Sequence, residues 1–129
     1  MKTVYLCGPI NGCTDAEAND WREFVKNRAP HFDYLNPMRR DYRGKEAESL
    51  NEIVTLDKID IANSHALLVN YDKPSVGTSM EVYIAFSTGK LVVVVARPDA
   101  VISPWLRYHS HKIAHSFDDA ITAITDLLA

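Results

Sequence analysis

Apolar positions fall into two alternating patterns along this chain. Short, nearly continuous runs at TVYLC (3–7), FDYLNP (32–37), HALLVNY (65–71) and LVVVVA (91–96) read as strands. Longer mixed stretches between and after them predict helices: DAEANDWREFVKNRA (15–29), ESLNEIVTLDKIDIANS (48–64), TSMEVYIAFSTG (78–89) and FDDAITAITDLL (117–128). The order β-α-β-α-β-α-β with a closing helix predicts an α/β fold, an open and mainly parallel sheet of four to five strands with helices on both faces. HALLVNY and LVVVVA are apolar almost throughout, as strands covered on both sides must be.

Local punctuation agrees with this division. Thr14 or Asp15 is placed to cap the first helix, Ser116 the last, and Gly89 stands where a helix C-terminal glycine belongs. Two connections are longer than joining requires, MRRDYRGKEAE (38–48) and RPDAVISPWLRYHSHK (97–112), and surplus loop often covers a site. Ligands of open α/β sheets bind beyond the carboxyl ends of the strands. Those ends here carry CGPING, NPMRRDY, YDKPSVG and ARPDAVISPW.

Composition narrows the partners. The 129 residues make one domain, 1–129, large enough for a core, and 47% hydrophobic with 24% charged residues is ordinary for a globular chain. A net charge of -3, without a Lys/Arg cluster interleaved with aromatics, offers no footprint for a nucleic-acid polymer, while a small charged or polar ligand remains open. The first residues lack a leader pattern, and the longest apolar run, 91–96, is too short to span a membrane. Cys7 and Cys13 read as reduced thiols, one in a strand and one in a loop, which with the missing export signal points to the cytoplasm.

Several residues carry candidate chemistry. Asp57 lies in the middle of a helical arc made by Leu50, Val54 and Ile61, where a carboxylate is costly unless it is paired or opens onto a cleft. Either it serves a site or it turns to solvent or to a salt bridge with Lys58 or an arginine. Asp60, at the edge of the arc, reads as a solvated neighbour. Glu81 closes Thr78-Ser79-Met80-Glu81, which fits a capping box, yet it also stands at the mouth of the expected cleft near a helix's positive pole, which would keep it ionised. Paired carboxylates with divergent pKa values are the tools of glycosidic chemistry. Tyr5 is a core aromatic or a hydroxyl donor into the cleft. GPING matches neither phosphate-binding glycine pattern, although its glycines permit close approach to a polar ligand. The spacing of His109, His111 and His115 fits no zinc pattern, so no metal is expected. Arg39, Arg40 and Arg43 form a solvated basic cluster or contact an anionic substrate, and Trp105 is a base-stacking lid or a packing residue.

VYLCGPI, Asp57 ahead of IDIANSHALLVNYD, and PSVGTSMEVYIAFSTGK together resemble the nucleoside 2-deoxyribosyltransferase family and its relatives, the deoxynucleoside 5'-monophosphate N-glycosidases. The resemblance runs through nearly the whole chain, and P-S-x-G-T-x-x-E followed by a small apolar helix and Gly-Lys is its most specific part. It implies a flavodoxin-like or Rossmann-like domain that cleaves the N-glycosidic bond of a 2'-deoxynucleoside without cofactor or metal. Glu81 matches the nucleophile, Asp57 the carboxylate that assists the leaving base, and Tyr5 the residue orienting the nucleophile. Gly8, Pro9, Ile10, Asp72, Ser75, Gly77 and Met80 fall at substrate-contacting positions, Asp72 as a further acid. The implied partners are a deoxynucleoside, a free nucleobase and other copies of the chain in a homo-oligomer with sites near subunit interfaces. One departure is His65, where the family often has Asp.

Overall fold

The computed structural model describes residues 1–129. Five strands, β1 (Thr3–Cys7), β2 (Asp33–Leu35), β3 (Ala66–Asn70), β4 (Leu91–Val95) and β5 (Lys112–Ala114), form one sheet in the order β2-β1-β3-β4-β5. Every neighbouring pair is parallel. The helices are α1 (Asp15–Arg28), α2 (Leu50–Ala62), α3 (Val76–Ser87), α4 (Pro104–Tyr108) and α5 (Phe117–Leu128), with a 3-10 turn at Pro37–Arg39. The expected α/β architecture is therefore present. None of the helices is long and apolar enough to cross a membrane.

Side-chain parity along the strands divides the core in two. Val4 and Leu6 of β1, Ala66 and Leu68 of β3, and Val93 and Val95 of β4 face α1 and α5, meeting Trp21, Val25, Ala120 and Ile124. The alternate residues Tyr5, Cys7, Leu67, Val69, Val92 and Val94 face the other layer, Ile61 of α2, Val82 and Ala85 of α3 and Leu106 of α4. Both clusters are buried, so truncating one of their Leu or Ile side chains to Ala costs about 2–5 kcal/mol. This parity also decides the site: Tyr5 and Cys7 share the face that α3 covers.

Helix ends follow local chemistry. Thr14 and Glu17 make a reciprocal capping box on α1, Ser116 caps α5, and Gly89 takes φ +83 just past α3. The segment read as a loop, 97–112, contains α4, opened by Ser103 as N-cap and Pro104 at its first turn, and runs at Lys112 into β5, a three-residue strand the pattern did not predict. The apolar arc of α2 does not face the core along its length. Leu50 and Val54 are 64% and 44% exposed, and the arc reaches the core only at Ile61.

Candidate active site

Strand order reverses direction at β1, whose neighbours β2 and β3 are reached by opposite paths, and the crevice beyond such a switch is where α/β sheets hold ligands. A cleft of about 460 Å³ lies there. Its wall is built from the loop after β1 (Gly8, Pro9, Ile10), the loop after β3 running into α3 (Lys73, Ser75, Gly77), the cleft side of α2 (Ile53, Asp57) and the 38–48 connection (Arg40, Tyr42, Arg43), with Glu81 reached through it. The long 38–48 loop thus covers the cleft, as its length suggested.

Glu81 is not a cap. Ser75 caps α3, accepting from Thr78 N, and Glu81 sits in the second turn with its side chain turned toward β1. The Tyr5 hydroxyl donates to Oε2 at 2.5 Å, and the Cys7 thiol donates to Oε1 at 3.5 Å. Two residues apart on one strand face, these donors take one carboxylate oxygen each. Burial raises Tyr5 and Cys7 above their ordinary values, Glu81's charge adding to this, so both keep their protons and remain donors. Burial also lifts Glu81 from 4.5 to about 7, against the pull of the Tyr5 and Cys7 bonds. The expectation that the helix pole would keep this carboxylate low is overturned, because Glu81 lies beyond the first turn and desolvation outweighs the dipole.

Asp57 stands across the cleft on α2. Burial raises its pKa, Arg40 opposing, and its charge in turn raises that of Glu81. Arg40 Nη2 bridges Asp57 Oδ1 at 3.4 Å and Asp60 Oδ2 at 2.8 Å, while Arg39 Nη2 donates to Asp60 Oδ1 at 2.7 Å. Asp60 is no solvated neighbour: it is 4% exposed and pins the arginine loop against α2. Arg43 is equally occupied, bonding Asp15 at 2.6 Å, Asp41 at 2.7 Å and the Cys13 carbonyl at 3.0 Å. The basic cluster is therefore the framework of the cleft wall.

Behind the cleft Arg22 is wholly buried, donating to the carbonyls of Leu6, Ala18 and Gly8 at 3.3, 2.6 and 3.1 Å. It fixes the carboxyl end of β1 and sets a positive charge that lowers the Glu81 pKa. Gly8 is required for this packing, since a Cβ there would lie 2.9 Å from the Trp21 ring. The Thr78 hydroxyl, also buried, has no hydrogen-bond partner.

Of the residues singled out in the sequence, Glu81, Asp57, Tyr5, Gly8, Pro9, Ile10, Ser75 and Gly77 converge, Tyr5 from beneath the cleft floor. Asp72 and Met80 do not. Asp72 is exposed on a small depression with Cys13, Glu17 and Asn70, because the chain turns at Lys73 before entering α3. Met80, 62% exposed, points one helical position away from Glu81 into an apolar groove with Tyr83, Trp105 and His109. Trp105 stacks on His109 in that groove and is not a lid over Glu81. His109 and His115 bond to backbone carbonyls, and His111 accepts from Val92 N. His65 accepts from Thr3 N at the opposite end of β1 from the cleft. Sequence reasoning missed Cys7, Arg22 and Asp60 as parts of the site, and offered Arg40 only as a solvated or substrate-contacting arginine, not as the bridge between Asp57 and Asp60; for Cys7 the signal was its shared parity with Tyr5.

The sequence profile of the family described as nucleoside 2-deoxyribosyltransferase matches residues 4–116. Comparison with curated proteins finds no match. Among solved structures, a conserved protein from Enterococcus faecalis V583 has 16% identity and a TM-score of 0.74, with 98% of each chain covered. A 2-deoxyribosyltransferase from Bacillus psychrosaccharolyticus has 15% identity and a TM-score of 0.75, covering 92% of this chain and 90% of the other. A CMP N-glycosidase from Clostridium botulinum has 14% identity and a TM-score of 0.62, covering 96% and 99%. At such identities these structures share the fold.

Proposed function

Since the chain belongs to the nucleoside 2-deoxyribosyltransferase family, we propose that it moves 2-deoxyribose between nucleobases through an ester on Glu81. The observation that carries this reading is the Glu81 carboxylate, held from β1 by Tyr5 and Cys7 at a cleft that Asp57 also lines. Lacking a 2'-hydroxyl, deoxyribose readily develops oxocarbenium character at C1'. The ionised Glu81 forms a bond to C1' as the C1'–N bond breaks, and Asp57 gives a proton to the departing base. An incoming base then attacks C1', returns its proton to Asp57 and frees Glu81, so two inversions retain the β configuration. Gly8, Pro9, Ile10, Ser75 and Gly77 line the path of the substrate.

The commitment of Arg40 and Arg43 to acids supports a neutral nucleoside as substrate. The second reading, hydrolysis of a deoxynucleoside 5'-monophosphate, draws support from Lys73. Its only carboxylate partner, Glu17, is 3.9 Å away, and it lines the cleft beside the start of α3. A second copy of the chain is the proposed cover for the apolar groove of Met80, Tyr83 and Trp105. Incubation with a deoxynucleoside and a different free base, and separately with a deoxynucleoside monophosphate, separates the readings by chromatography. New deoxynucleoside in the first reaction supports transfer; free base and deoxyribose 5-phosphate in the second, without transfer in the first, would replace it with hydrolysis.

A further inference from the structure

The two oxygens of Glu81 are held unequally. Oε2 receives the Tyr5 hydroxyl at 2.5 Å, a short bond to an oxygen donor, while Oε1 receives only the Cys7 thiol at 3.5 Å. Thiols are weak donors, so Oε1 keeps the more available lone pair. Cys7 is wholly buried in the layer beneath α3, and its other acceptor within reach is the Thr78 carbonyl at 4.0 Å. The side chain is thus confined between α3 and β1.

We propose that Cys7 is a positioning residue of the transfer reaction, its thiol steadying Oε1 of Glu81 as the oxygen that bonds to C1' while leaving that oxygen reactive. This rests on the function proposed above. In the first half-reaction the Oε1 lone pair forms the ester bond to C1', the C1'–N electron pair departs with the base, and the base nitrogen takes the Asp57 proton. In the second, the lone pair of the incoming base nitrogen forms the new C1'–N bond. The Oε1–C1' pair returns to Glu81, and the N–H proton passes to Asp57. A strong donor on Oε1 would stabilise the carboxylate before attack and weaken it as a nucleophile. No donor at all would leave Oε1 free to swing and deprive the buried charge of half its support. A thiol lies between these limits. The other charged or titratable groups bearing on Glu81 are Tyr5 on the same strand, Asp57 on α2 and Arg22 on α1, and both substitutions at position 7 leave these side chains in place.

The test compares Cys7→Ala and Cys7→Ser with the parent protein by two readouts. The first is the titration of the Glu81 carboxyl by carbon NMR in the free protein, assigned with Glu81→Gln; the second is kcat and KM for deoxynucleoside transfer. Cys7→Ala is expected to raise the titration midpoint by about half to one unit, as loss of one hydrogen bond to a charge does. It should also lower kcat about 3- to 30-fold at pH 6–7 while KM stays within about twofold, since binding groups are untouched. Cys7→Ser, which restores a donor, should bring the midpoint back to the parent value or below it. An unmoved midpoint in Cys7→Ala, or equal shifts in both variants, would reduce Cys7 to a packing residue and overturn the proposal. Midpoints that move as expected in a protein that turns over no deoxynucleoside would overturn it through the reaction it rests on, leaving the thiol contact intact.

Discussion

The hydroxyl of Tyr5 donates to Oε2 of Glu81 at 2.5 Å, joining the first strand to the second turn of α3 across the carboxyl edge of the sheet. The bond orients the carboxylate and opposes the rise in pKa that burial causes. Tyr5→Phe removes the donor while keeping the ring in its core position. The expected result is a 10- to 100-fold fall in kcat, about 1.4 kcal/mol per tenfold, with the acid limb of the pH–rate profile displaced to higher pH. Steady-state rates from about pH 5 to 9 check it.

Stability carries its own signature of this site. Glu81 titrates near 7 in the folded protein, above its ordinary 4.5. Between these values the folded state binds more protons than the unfolded one, so this stabilising contribution is whole below about 4.5 and is lost as pH rises through about 7. The loss amounts to roughly 3–4 kcal/mol by linkage. Glu81→Gln does not titrate; its thermal midpoint should be flatter across this range, and above pH 7 the variant should be more stable than its parent. Differential scanning calorimetry at stepped pH makes the comparison.

Arg40 is expected to matter for both stability and activity. It bridges Asp57 and Asp60, and Asp60 is nearly inaccessible. Arg40→Ala leaves Asp60 with Arg39 alone and frees Asp57, at a cost of about 1–3 kcal/mol in urea unfolding. Without the nearby guanidinium the Asp57 pKa climbs further, so the alkaline limb of the pH–rate profile should move to higher pH.

The apolar groove of α3 and α4 yields a prediction about assembly. Met80 and Trp105 are 62% and 73% exposed beside Tyr83 and His109. Placing a charge there by Trp105→Glu should shift the protein toward the monomer in analytical ultracentrifugation, with its far-ultraviolet circular dichroism unchanged. A parent protein that sediments as a monomer would contradict the proposed second copy.

Much of the fold was legible because strands buried on both faces announce themselves as unbroken apolar runs, and the bounds read for β1 and α5 coincide with the structure. β5 was not legible: three residues, of which only Ala114 is buried, carry no period. α4 did leave a signal in Ser103-Pro104, outweighed by the polar residues around it. The site was legible in part. Asp57 was singled out because of an apolar arc, yet Leu50 and Val54 of that arc face outward, so the residue was found by a pattern whose physical reading was mistaken. Glu81 looked like a cap because Thr78 lies three residues before it, whereas Ser75, one turn earlier, holds that place. Asp60 could not be seen in a helical wheel, since its burial depends on the arginine loop folding back over α2.

The central claim is that Glu81 carries the sugar during turnover. Rapid acid quench of the protein with a deoxynucleoside, followed by proteolysis and mass spectrometry, tests it most directly. A deoxyribosyl group on the peptide containing Glu81, absent from Glu81→Ala together with all transfer, is the predicted result; transfer that persists in Glu81→Ala would contradict the account.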